Sequence, residues 1–127
     1  MKTKIFFWAV SCLFFCSVLN AQDVRGVWKR VLPESYGNVT EVKFIMDGQF
    51  LWVLYDENSN VCTGAGGTYR FEDGVYTEEI VYTLPSMKRF EKKQAVYDVT
   101  FDDDGTMRVE GKLDKDISVE EVWKREE

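Results

Sequence analysis

Two copies of one tetrapeptide frame the chain: Val27-Trp28-Lys29-Arg30 near the start and Val122-Trp123-Lys124-Arg125 near the end. Between them run alternating apolar and polar residues, punctuated by Asp47-Gly48, Asp73-Gly74 and Asp104-Gly105. Asp-Gly between alternating hydrophobics is a strong hairpin signal, because glycine accepts positive φ. A meander whose first and last strands carry matching aromatic-basic patterns can pair those strands and close. Closure leaves no free sheet edge to recruit another chain. The expected fold is all-β, an eight-stranded antiparallel up-and-down barrel. An open two-sheet sandwich is the competing architecture, and the matched ends favour the barrel.

The period-2 pattern predicts strands over 25–32, 40–46, 50–55, 68–71, 75–84, 94–101, 106–113 and 117–126. Gly26, Trp28 and Arg30 share the inner face of the first strand. In the second, Val42, Phe44 and Met46 are expected inside, against Glu41, Lys43 and Ile45. The third is apolar on both faces, so it is either fully buried or lies under something. The fifth presents Tyr76, Glu78, Ile80, Tyr82 and Leu84 on one face, and the last presents Val119, Glu121, Trp123 and Arg125. Gly64-Ala65-Gly66-Gly67 lacks the Lys-Ser/Thr of a phosphate loop and suits a bulge or a tight start to a strand. The 33–38 connection is too short for a helical lid. The 85–93 loop carries Lys88, Arg89, Lys92 and Lys93 and is either solvated or a docking patch.

Residues 1–21 have the form of a signal peptide: Lys2 and Lys4, an apolar run from Ile5 to Val18, then Ala21 as a cleavage residue. Residues 22–127 then form one domain, exported to the periplasm or secreted. With Lys2 and Lys4 removed, 14 of the 16 basic residues face 22 acidic ones, a net charge of −8. Such a surface disfavours nucleic acid, and no membrane span is expected. Only Cys62 remains after cleavage, so the core must hold without an internal disulfide. The absence of histidine removes the commonest general base and metal ligand. The expectation is a non-enzymatic protein with no catalytic residue, no metal site and no cofactor.

Gly26-x-Trp28 together with Arg125 resembles the lipocalin signature, in which a late arginine packs across a first-strand tryptophan at the closed end. The wider set is Gly26-x-Trp28-Lys29, Gly66-Gly67-Thr68-Tyr69, Tyr76-Thr77-Glu78 and Glu121-Val122-Trp123-Lys124-Arg125. It is similar to small exported lipocalin-like (calycin-type) β-barrel domains of Gram-negative bacteria, of uncharacterised function. The resemblance implies a barrel without lid helices. The chain differs from typical lipocalins in being shorter and in lacking their Thr-Asp-Tyr motif and disulfide.

Charges in phase with inward aromatics are the informative anomaly, because a buried charge must be paired or wetted. Gly26, Trp28, Arg30, Glu121, Trp123 and Arg125 suit a structural cluster that seals the closed end, or a floor for a ligand headgroup. Trp52, Tyr76, Glu78, Tyr82 and Tyr97 are the candidate ligand-binding residues of the interior. Two functions follow. One is a pocket for a small apolar or amphipathic molecule. The other is a ligandless structural or protein-interaction module that uses the barrel exterior or the 85–93 basic loop. An interior cavity below about 300 Å³ favours the second.

Overall fold

The computed structural model describes residues 23–126, so the signal-peptide segment lies outside the described residues. Eight antiparallel strands follow one another: β1 (Gly26–Arg30), β2 (Val39–Met46), β3 (Gln49–Asp56), β4 (Val61–Glu72), β5 (Val75–Thr83), β6 (Gln94–Phe101), β7 (Met107–Leu113) and β8 (Ile117–Arg125). Each pairs with its sequence neighbours, and β1 pairs with β8 to close the barrel. The two tetrapeptides meet at that seam, with Trp28 opposite Arg125 and Arg30 opposite Trp123.

Hairpin chemistry sets the register. Asp47-Gly48 and Asp73-Gly74 have φ of 49° and 82°, and 52° and 77°. Both residues of each pair are left-handed, the backbone of a type I′ turn whose twist matches its flanking strands. These turns, with Asp104-Gly105, lie at one end of the barrel. The 31–38 connection, the 56–60 turn, the 84–93 loop and the 114–116 turn lie at the other. We call the first the closed end and the second the open end.

The β4 and β5 strands depart from the sequence expectation. The run over 61–67, outside the strand expected at 68–71, belongs to β4, which spans 12 residues. On its partner, Gly66 pairs with Tyr82 and Gly67 with Ile80, which leaves Val81 as an extra residue in β5. Such a bulge reverses the side-chain alternation beyond it. Tyr76, Glu78 and Ile80 therefore face inward as expected, but Tyr82 faces out and is half exposed.

In β2 the expected facing is inverted. Glu41, Lys43 and Ile45 are buried, while Phe44 and Met46 are exposed. The reason is register: Lys43 stands opposite the inward Trp28 on β1 and the inward Trp52 on β3. The outward row that includes Phe44 continues through Leu51. The 85–93 loop is not wholly solvated either. It contains a 3-10 turn, Pro85–Phe90, whose Phe90 is buried and whose Met87 packs against the core.

Candidate functional site

At the closed end, Trp28 is fully buried and its indole Nε1 donates to the Val24 carbonyl at 2.7 Å. The Arg125 guanidinium lies 4.2 Å from the Trp28 ring centroid. Arg125 Nη1 donates to the Arg25 carbonyl at 2.6 Å and Nη2 to the Asp23 carbonyl at 3.0 Å. Gly26 makes room for it. Its φ is +137°, and a Cβ there would overlap Arg125 Nη1. Cation–π contact and two carbonyl bonds thus tie the last strand to the segment preceding the first.

Arg30 and Glu121 do not join this cluster. Arg30 sits one inward position beyond Trp28, roughly 6–7 Å along the strand, which carries it into the open half. There Arg30 Nη1 reaches Glu41 Oε2 at 3.0 Å and Glu121 Oε2 at 3.4 Å. Trp123 Nε1 donates to Glu121 Oε1 at 3.3 Å. One inward position further in, Lys43 Nζ meets Glu78 Oε2 at 2.5 Å, and the Tyr76 hydroxyl donates to the same oxygen at 2.8 Å. The Lys43 ammonium also lies 5.2–5.8 Å from the ring centroids of Phe50, Tyr76 and Trp123. Glu78 points inward, and its main partner is Lys43, a residue the apolar alternation of β2 had assigned to the outside.

These charges shape their neighbours. Burial pushes the Glu41 carboxyl above the usual glutamate value of 4.5; Arg30 opposes the shift and Glu121 adds to it. Burial, then the Glu78 charge, raises the hydroxyls of Tyr76 and Tyr97, so both stay protonated. Tyr69, Tyr76 and Tyr97 form a stack across β4, β5 and β6, with centroids 5.3 and 6.5 Å apart.

The candidate ligand-binding residues are dispersed by this geometry. Trp52, Glu78 and Tyr97 border a cavity of about 190 Å³ in the open half, under Met87. Tyr76 lies below it, beside a void of only about 10 Å³. Tyr82 is on the outside, where its ring lies across Gly66; a Cβ at Gly66 would overlap that ring.

A larger concavity lies outside the barrel. Phe44, Leu51, Gly66 and Tyr82 form one outward row across β2–β5. Val42, Val53 and Gly64 form the next, and Leu84 reaches it through a hydrogen bond from its N–H to the Gly64 carbonyl. Because β4 contributes only glycines to these rows, the face is hollow over β4. The hollow is a groove of about 680 Å³ walled by Leu51, Val53, Val61, Cys62, Tyr82 and Leu84. Phe44, Met46, Leu51, Val61, Val81, Tyr82 and Leu84 are all exposed. The β3 strand, apolar on both faces, has its outer face uncovered among the described residues. Sequence reasoning missed the groove, although doubly apolar β3 beside glycine-rich β4 was a signal for it.

Fold and site together define a small closed β-barrel domain with a charge-paired interior and an apolar outer groove. Among the described residues no helix is long and apolar enough to cross a membrane. The chain belongs to the family described as Domain of unknown function (DUF4488), whose pattern matches residues 23–127. No curated protein matches the sequence.

Proposed function

We propose that this domain is an exported, non-enzymatic interaction module that holds a partner protein on the outer face of β2–β5. The observation that carries the reading is the apolar groove over Gly64 and Gly66, exposed on a strand pair whose inner face is already packed. Monomeric soluble proteins rarely leave large contiguous apolar surface uncovered without an interaction to serve. The interior supports the same reading. Its open space of about 190 Å³ is below the usual range for drug-sized ligands, and charged side chains line it. That space suits poorly the apolar or amphipathic molecule that a lipocalin-like barrel suggests.

Charge points to the kind of partner. The chain has a net charge of −6, yet the loop that leaves the groove wall at Pro85-Ser86 carries exposed Lys88, Arg89, Lys92 and Lys93. An apolar segment followed by acidic residues complements both features, the apolar part in the groove and the carboxylates against the loop.

A random peptide library panned against the folded domain tests this. Apolar-acidic sequences should be enriched, and their affinity should fall more than tenfold in Leu51→Lys and in Lys92→Glu/Lys93→Glu. Enrichment of basic sequences, binders indifferent to Leu51→Lys, or no enrichment at all would refute the reading. Micromolar self-association abolished by Leu51→Lys would assign the face to a second copy instead.

A further inference from the structure

The open half of the interior combines an unfilled cavity with an unbalanced set of charges. Two cations, Arg30 and Lys43, and three carboxylates, Glu41, Glu78 and Glu121, line the same 190 Å³ space. Lys43 and Glu78 neutralise each other directly. Arg30 is left to serve two carboxylates, and it reaches both through one nitrogen, Nη1. Its Nε, fully buried, has no hydrogen-bond partner among the described residues. The cluster therefore lacks one positive charge and one hydrogen-bond acceptor. Both deficits are costly where side chains are largely withdrawn from water.

From this double deficit we infer that the cavity binds a small amino alcohol, a molecule that carries a positive nitrogen and a hydroxyl oxygen a few bonds apart. The ammonium lies on the cavity side of Glu41 and Glu121, whose facing oxygens already share Arg30 Nη1, and restores neutrality. The hydroxyl oxygen accepts from Arg30 Nε. The carbon atoms rest against Trp52, Met87 and Tyr97, where aromatic faces favour an alkylammonium. Lys43 already shows that this interior accepts an ammonium among three rings. The space equals about six water volumes at roughly 30 Å³ each, enough for such a molecule and too little for a lipid chain. A bare metal ion fits less well. Among the described residues no three Asp, Glu, Cys or His side chains are grouped to hold one, and a metal would leave Arg30 Nε unserved.

The site is independent of the outer groove, and the test separates the two. Choline, tetramethylammonium and 3,3-dimethyl-1-butanol, the uncharged isostere of choline, are titrated against the full domain. Calorimetry and tryptophan emission from Trp52 and Trp123 report binding. Choline should bind most tightly, tetramethylammonium at least threefold more weakly for want of the hydroxyl, and the isostere at least tenfold more weakly for want of the charge. Glu121→Gln, whose amide oxygen can still accept from Trp123, should weaken choline at least tenfold, and Glu110→Gln on the outside should not. Glu41→Gln provides the same reading if the Glu121 variant misfolds. Binding should weaken with falling pH as Glu41, whose carboxyl burial raises, takes up a proton; Arg30, Lys43, Glu78, Glu121 and Tyr97 are the other ionisable groups facing the site. An isostere within threefold of choline, equal competition by potassium chloride, or unchanged affinity in both glutamine variants would overturn the inference.

Discussion

Replacing Lys43 with methionine asks how the interior tolerates its charges. Methionine keeps most of the volume and packs against the aromatic rings that surround the lysine, so the change isolates the lost charge. It leaves Glu78 buried with only the Tyr76 hydroxyl, at 2.8 Å, as partner. Breaking a buried pair by removing one member costs about 3–5 kcal/mol. The Tyr76 bond survives the change and lowers the loss, so about 2–4 kcal/mol is expected. The assay is urea unfolding of parent and variant. With a slope of about 1–3 kcal/mol per molar, the midpoint should drop by roughly 1–2 M. Adding Glu78→Gln to Lys43→Met removes the orphaned charge while keeping an acceptor for Tyr76. The double variant should return to within about 1 kcal/mol of the parent. An unchanged midpoint in the single variant, or a double variant as unstable as the single, would refute the reasoning.

Gly26→Ala should destabilise by about 1–3 kcal/mol, since it strains a φ of +137° and drives Arg125 off Trp28; an unchanged thermal midpoint would remove Gly26 from the closure. Glu41 holds its proton more tightly folded than unfolded, so it opposes folding increasingly as pH rises from 4.5 through its raised value. Glu41→Gln should therefore be at least as stable as the parent at pH 7, with the difference closing towards pH 4 in paired denaturation curves. On the outer face of β6–β8, Asp98, Glu110 and Glu120 stand directly opposite one another across three strands. Like charges so placed repel, so Glu110→Lys should raise Tm by about 2–5 °C at low salt and lose that gain in 1 M salt.

What the sequence determined was connectivity and closure. Asp-Gly turns are local chemistry: they fix hairpins and, through them, the register of the three pairs they join, β2–β3, β4–β5 and β6–β7. The matching Val-Trp-Lys-Arg copies marked the two strands that meet at the seam, and Gly26-x-Trp28 with Arg125 marked the closed end. The face of each strand was legible where one side was clearly more apolar, as in β6 and β7. It was not legible in β2, where Glu41, Lys43 and Ile45 compete with Val42, Phe44 and Met46. Apolar alternation favours the wrong set, because partners for Glu41 and Lys43 come from β1 and β5 and appear only when the sheet has closed. Tyr82 was lost for a different reason. A one-residue bulge opposite Gly66-Gly67 costs no change in composition, yet it reverses every position that follows. Cavity size, the outer groove and the missing positive charge beside Arg30 likewise depend on strands distant in the chain. They are sums over neighbours that only tertiary structure brings together.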